Sequence, residues 1–259
     1  MNDTVQKNLE KYSPALLVIA ILLLWELVCR AFKVDPFILP MPSAIWDALI
    51  EFRGPIATHA WQTFWTTMVG FAIAVTVGII LGCLLGSSAL VYRACYPLLV
   101  GFNSIPKAAF VPILVVWCGI GTTPAIITAF LISFFPIVVN VATGLATLEP
   151  ELEDVLRALG ATRIEILRKV GLPRSMPFFF ASLKVAITLA FVGTVVSEIS
   201  ASNAGIGYLM MSASSSLKTP LMFAGVIVIS VMAMVMYEVF AWIEKGMTGW
   251  AHRGQQANA

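Results

Sequence analysis

Residues 63–86 read TFWTTMVGFAIAVTVGIILGCLLG, a run without one charged side chain. A helix needs about 20 mostly apolar residues to cross a bilayer, so this stretch reads as a spanning helix. Small residues recur in it at every fourth place: Gly70, Ala74, Gly78, Gly82 and Gly86. Residues four apart share one helix face, and a face bare of side chains lets another backbone come close. The stripe predicts a helix set inside a bundle or at a subunit contact.

Runs of the same kind recur at about 14–32, 92–119, 123–144, 176–200 and 220–244, which gives six spans. Of 259 residues, 59% are hydrophobic and 12% charged, with a mean hydropathy of +0.91. A soluble domain carries roughly 25% charged residues. Half that fraction leaves too little polar surface for water, so the solvent is largely lipid. The net charge of +2, with no basic stripe interleaved with aromatics, speaks against nucleic acid. The expected fold is an all-α integral membrane bundle of about six transmembrane helices. It forms one transmembrane unit over residues 1–259, with an N-terminal helix at about 14–32 and a core at about 63–244.

Orientation follows from Lys and Arg, which concentrate on the cytoplasmic side. With the N-terminus in the cytoplasm, that side holds Lys7, Lys11, Arg93, Arg157, Arg163, Arg168, Lys169, Arg174, Lys245 and Arg253. The outer side holds Lys33, Arg53 and Lys218. Both termini are then cytoplasmic. Lys7 and Lys11 before an apolar run imitate a secretory signal, but the run outlasts a signal core of about 7–15 residues, so it is expected to be retained.

The third span is interrupted by Asn103-Ser104-Ile105-Pro106-Lys107, with Pro112 beyond. Proline breaks the hydrogen-bond ladder. Freed backbone groups at membrane depth are tolerated only against protein or a water-filled cavity. A plain kink and a kink beside a solute path both fit. Candidates for such a path are Asn103, Ser104 and Lys107, then Ser133 and Asn140 in the fourth span and Thr188 and Thr194 in the fifth. Lys107 either attracts an anionic solute, snorkels to the interface or pairs with a carboxylate. Glu198, near the outer end of the fifth span, either braces the following Gly205-Ile206-Gly207 turn or serves an outer gate.

Between the first two spans, Ser43 is placed to cap a short helix at about 44–52. Ile45, Trp46, Leu49 and Ile50 make it apolar on one side, with Asp47 and Glu51 elsewhere, an interfacial pattern. Cys29, Cys83, Cys95 and Cys118 form no CxxC pair, so neither a disulfide framework nor a metal site is expected.

One connection differs from the rest. The loop at about 146–175 contains TLEPELEDVLRALGATRIEILRKVGLPRS, starting at Thr147. Pro150 suits a first helical position, and Glu149, Glu151, Glu153 and Asp154 complement the dipole of a helix that starts there. Leu152, Val155, Leu156 and Leu159 follow i, i+3, i+4, i+7 and give it one apolar face. Gly160 ends it. Thr162 with Glu165 is a capping box that opens a second helix, and Gly171 and Pro173 are expected to stop that helix. The result is a helix–glycine–helix knuckle with an apolar stripe and a charged rim. Such a face docks into lipid headgroups, against the bundle, or into a partner's groove.

The knuckle resembles the cytoplasmic loop of the ATP-binding-cassette importer permeases. That loop carries Glu-Ala-Ala, three residues, Gly, nine residues, Ile, any residue, Leu-Pro. Here Asp154, Val155 and Leu156 stand at Glu-Ala-Ala, Gly160 at the glycine, Val170 at Ile, and Leu172-Pro173 at Leu-Pro. The spacing is kept, while Asp for Glu, Val-Leu for Ala-Ala and Val for Ile depart from it. Residues 39–46 (LPMPSAIW), 105–124 (IPKAAFVPILVVWCGIGTTP) and 197–210 (SEISASNAGIGYLM) resemble the nitrate/sulfonate/taurine-type branch.

The resemblance implies a type I importer-like permease bundle in a bacterial inner membrane. It also implies two separate ATPase subunits that hold the ATP and Mg, a second permease copy, and a periplasmic or lipid-anchored substrate-binding protein, with membrane lipid around the bundle. This chain then needs no cofactor and is no enzyme. Its ATPase-coupling residues are Asp154, Val155, Leu156, Arg157, Leu159, Gly160, Arg163, Leu172 and Pro173. The solute is small and anionic. In agreement, the chain has no phosphate loop: Gly119-Ile120-Gly121 lacks the lysine such a loop requires.

An ion-coupled secondary transporter is the alternative. Proton or sodium coupling places carboxylates near the bilayer midplane, whereas Glu26, Glu198 and Glu238 fall towards span ends, and no inverted repeat is evident. A membrane enzyme finds still less support, since His59 and His252 lie on opposite sides and no paired carboxylates or serine elbow accompany them.

Overall fold

The computed structural model describes residues 3–86, 88–146 and 155–256, and all regular structure among them is helical. Helix α1 (Asp3–Ala31) leads through a turn to α2 (Pro42–Glu51), which abuts α3 (Arg53–Gly86). Then come α4 (Ala89–Ser104), a 3-10 turn (Lys107–Phe110), α5 (Val111–Cys118) and α6 (Thr122–Ala146). After the loop follow α7 (Arg163–Ile166), a π turn (Leu167–Gly171), α8 (Leu172–Ala201), the short α9 (Ile206–Ser215) and α10 (Thr219–Gln256). Five helices are long and apolar enough to cross a membrane, and α4 with α5 makes a sixth span if the bent pair counts as one.

The small-residue stripe of α3 packs on α6. A methyl group added at Gly82 would stand 2.6 Å from Val141, and one at Gly78 2.7 Å from Ile137. Gly70 meets Ala129 and the Ile126 carbonyl, and Gly86 meets Leu145. On the other side of α6, Gly193 of α8 lies against Ala129 and the Thr128 carbonyl. Helix α6 is thus held between two helices that approach to backbone contact, with Ala74, Ala129, Ile137, Ala186 and Ala190 fully buried. Association within lipid relies on such close van der Waals contact, because lipid tails are as apolar as the side chains. A second, smaller core joins α2, α3, α9 and α10 through Ile45, Ile56, Ile206, Leu209 and Leu221.

Helix α1 stands outside this bundle, with Leu16 to Leu24 exposed almost throughout. Its outer end is tied down at Glu26. That carboxylate accepts from the Arg30 guanidinium at 2.6 and 2.8 Å, from the Ser43 amide at 3.1 Å and from the Ser43 hydroxyl at 2.9 Å. Ser43 therefore does not cap α2. The helix begins at Pro42 with Met41 in the cap position, so Ser43 lies inside the first turn and its hydroxyl reaches back to α1. Of the apolar side chains of α2, Ile45 turns inward and Leu49 is half-buried, while Trp46 and Ile50 stay exposed.

Two further boundaries depart from the sequence reading, those of α3 and of the second knuckle helix, while the break expected in the third span is present. Helix α3 starts at Arg53, ten residues before Thr63. Its Pro55 sits in the first turn, where a missing N–H is no loss. The third span bends by 68° between α4 and the segment from Lys107. There Ile105 takes φ −70°, ψ 129°, the extended conformation that a following proline imposes. The second knuckle helix does not stop at Gly171 and Pro173. It passes through the π turn into α8, where Pro173 falls in the first turn of the restarted α-helix. The proline is accommodated because the π turn re-phases the ladder just before it.

Candidate functional site

From Val155 to Glu165 the knuckle is built as its local chemistry demands, whereas the helix start expected from Glu149 and Pro150 through Leu152 and Glu153 lies outside the described residues. Residues 155–158 are helical. Gly160, at φ +86°, donates its amide to the Arg157 carbonyl at 2.9 Å, and Ala161 donates to the Leu156 carbonyl at 3.0 Å. That pair of bonds is a Schellman motif with glycine at the left-handed position. The Thr162 amide donates to the Glu165 carboxylate at 3.0 Å, and the Glu165 amide to the Thr162 hydroxyl at 3.3 Å, which closes the capping box. The Thr162 amide, the Thr162 hydroxyl, which donates to the same carboxylate at 2.9 Å, and nearby Lys169, 3.8 Å away, hold the Glu165 carboxyl below the usual carboxylate range.

Among the described residues the apolar stripe is largely uncovered. Val155 is 57% exposed, Leu159 79%, and Leu156 is half-buried. A Cβ added at Gly160 would meet nothing within 4 Å. Arg157 and Pro173 are exposed. Arg163 opens α7 and Leu172 opens α8. Asp154 lies outside the described residues.

Of the expected path residues, the structure brings together Asn103 and Lys107 at the broken span and, separately, Thr194 and Glu198 in one cluster with residues of α3. The Lys107 ammonium donates to the Asn103 carbonyl at 3.1 Å and to its side-chain oxygen at 2.9 Å. It also sits 5.9 Å from the ring centres of Phe102 and Phe135. Lys107 is half-buried and has no carboxylate partner among the described residues. Asn103 and Ser104 are exposed, and the Ser104 hydroxyl bonds the Val100 carbonyl at 3.0 Å. Elsewhere, Ser133 is fully buried with its hydroxyl on the Ala129 carbonyl at 2.7 Å, and Asn140 donates to the Pro136 carbonyl at 2.8 Å. Thr188 is exposed, and its hydroxyl bonds the Lys184 carbonyl.

Glu198 is enclosed, and its carboxyl gathers the start of α9. It accepts from the Thr63 hydroxyl at 2.9 Å and from the Gly207 amide at 3.0 Å. Thr63 in turn accepts from the Ile206 amide at 2.7 Å, and His59 Nδ1 accepts from the Gly205 amide at 3.1 Å. Three consecutive orphan amides of a helix start are satisfied by side chains from α3 and α8. The Thr67 hydroxyl continues the cluster, 2.9 Å from that of Thr194. A Cβ at Gly205 would fall inside the Glu198 carboxyl, and one at Gly207 would lie 2.7 Å from its Cβ, so only glycine fits at either place. The sequence pointed to Glu198 and the glycine turn. It did not point to His59 and Thr63, which come from 135 or more residues away; the only signal was the polar spacing of His59, Thr63 and Thr67 on one face of α3.

At the opposite end, Lys184 of α8 and Glu244 of α10 form a largely covered ion pair at 2.6 Å. With the knuckle at the start of α8, this places the far end of α10 on the knuckle side.

Comparison with known proteins agrees with this architecture. The chain is 28% identical over 95% of its length to the formylaminopyrimidine transport permease protein ThiX of Halalkalibacterium halodurans, covering 98% of it. It is 27% identical to the taurine transport system permease protein TauC of Escherichia coli, over 89% of this chain and 86% of that one. TauC belongs to the branch that the three sequence passages resemble. An inward-facing structure of the MetNI methionine ABC transporter superposes with a TM-score of 0.65, at 20% identity, over 73% of this chain and 94% of the matched chain, which shows a shared type I importer permease fold. The ion-coupled alternative gains no support from these matches. Residues 74–249 match the family described as binding-protein-dependent transport system inner membrane component, and the chain belongs to that family of multi-pass ABC importer permeases.

Proposed function

We propose that the chain carries a small anionic solute across the inner membrane and couples that movement to ATP hydrolysis in separate subunits. The observation that carries the coupling is the bare apolar stripe of the knuckle: Val155 and Leu159 stand exposed beside a left-handed Gly160 with open space around it. A bundle-facing stripe would be buried; an interfacial one also carries a charged rim, and the family match favours a partner's groove over the headgroups. A groove on a soluble ATPase fits both the stripe and the exposed Arg157, with Asp154 and Arg163 the further rim residues that the sequence leads one to expect. Closure of two ATPases on ATP and Mg then pulls the knuckles of two permease copies and rocks the bundles. An external binding protein delivers the solute. The knuckle side is the cytoplasmic side, which leaves both termini in the cytoplasm.

The anionic character rests on Lys107, a half-buried cation at the broken span that, among the described residues, has neutral oxygens and two aromatic rings around it. Asn103 and Ser104 offer further polar groups on the same bend. That the similar TauC transports taurine, whose sulfonate is anionic, is consistent with this.

The test is to purify the tagged chain from its native membrane in mild detergent and weigh what comes with it. The expected result is a nucleotide-binding ATPase near one-to-one, lost on Gly160→Trp while the variant still inserts in the membrane. Unchanged recovery of the ATPase by Gly160→Trp refutes the docking role. Solute uptake that persists without ATP refutes ATP coupling as a whole.

A further inference from the structure

The outer face of α10 carries a feature that transport does not use. Met234, Val235, Glu238, Val239 and Trp242 line a shallow groove of about 430 Å³. All five are exposed, Trp242 by 77%. Glu238 lies within the apolar span 219–247 and makes no hydrogen bond or ion pair with the described residues. An ionisable side chain facing lipid is costly unless something pairs with it. Lys184 on the neighbouring α8 is engaged with Glu244 at 2.6 Å and lies over the Tyr237 ring.

Glu238, Trp242 and Lys245 stand at i, i+4 and i+7, on one stripe of α10. Lys245 is exposed about 10 Å further along the axis, towards the knuckle-side membrane surface. The stripe thus offers an apolar floor, then a carboxylate with an indole beside it, then an ammonium. We propose that this face binds a phospholipid with a zwitterionic headgroup and a primary ammonium, of the phosphatidylethanolamine type. The lipid ammonium pairs with Glu238 and lies against the Trp242 ring, since a carboxylate and an aromatic face both attract a cation. The lipid phosphate meets Lys245, and an acyl chain runs along Met234, Val235 and Val239. A phosphatidylglycerol headgroup has no cation for Glu238, and a phosphatidylcholine headgroup has no N–H to donate.

The full chain, with the subunits that co-purify, is placed in nanodiscs of equal phosphatidylethanolamine, phosphatidylcholine and phosphatidylglycerol, then released for native mass spectrometry. The expected result is selective retention of phosphatidylethanolamine. Glu238→Gln lowers that preference over phosphatidylcholine by roughly tenfold, the worth of one charge-assisted hydrogen bond. Lys245→Gln lowers retention of phosphatidylethanolamine as well. Equal retention of the three lipids by the unaltered chain overturns the proposal, as does an undiminished preference in Glu238→Gln. If Glu238→Gln fails to assemble, Trp242→Leu serves instead, with reduced retention supporting the site and unchanged retention overturning it. Disulfide-linked pairs formed by Met234→Cys also overturn it, because a second copy then covers the face.

Discussion

Thr63→Val is a nearly isosteric change that removes one hydroxyl and little else. That hydroxyl donates to Glu198 at 2.9 Å and accepts from the Ile206 amide at 2.7 Å, all within a buried cluster. Leaving a buried donor or acceptor unmade costs about 1–3 kcal/mol, so the two losses together come to about 2–6 kcal/mol. For a chain of this size each kcal/mol shifts the melting temperature by about 2–4 °C, which predicts a fall of roughly 4–24 °C. Glu198→Gln keeps one acceptor oxygen but turns an amide towards groups that already donate, and it is expected to cost about 1–3 kcal/mol. Because both changes break the same network, the double variant should lose less than the two single losses added, by about 1–2 kcal/mol. The assay is thermal unfolding of the purified chain in one detergent, followed by tryptophan fluorescence. Thr63→Val melting within about 1 °C of the unaltered chain, or strictly additive losses, would refute the idea that Thr63 and Glu198 hold α9 in place.

Two other perturbations follow from the geometry. Lys184→Met removes the close charge partner of Glu244 from a largely covered pair and should lower stability by a few kcal/mol, whereas Lys184→Met with Glu244→Met should recover most of it; melting of the three variants distinguishes this from a surface pair of no consequence. The Glu165 carboxyl is held below its ordinary value by the Thr162 amide and hydroxyl and by Lys169. The support it lends the second knuckle helix is therefore fully present above the unfolded value near 4.5 and is lost as pH falls through the lower, folded value. Amide exchange at Thr162 and Glu165, corrected for intrinsic pH dependence, should show protection that weakens in acid, and Glu165→Gln, which has no titrating carboxyl, should abolish that pH dependence.

Much of this was legible in the sequence where the governing physics is local. The spans follow from run length, because the bilayer sets the length of an apolar helix. The Schellman turn at Gly160 and the box at Thr162–Glu165 involve groups at most five residues apart, so their bonds are written into residue order. Ser43 shows the limit of the same reasoning. It fits a cap by type and position, yet Pro42 takes the first helical place, and Glu26, seventeen residues earlier, claims the hydroxyl. Pro173 likewise reads as a stop, but a π turn before it lets the helix carry on.

By itself, then, the sequence determined a membrane bundle of about six spans, a helix with a face for close packing, a broken third span and a knuckle built to dock. Each rests on spacing within one segment, where helix geometry alone decides which residues meet. Only the tertiary structure decided that the glycine face of α3 meets α6, that His59, Thr63 and Glu198 close around the start of α9, and that Lys184 pairs with Glu244 while Glu238 faces out. These pairings join residues 60 to 146 positions apart or set one helix face against another, and nothing in local periodicity fixes the rotation of one helix about its neighbour.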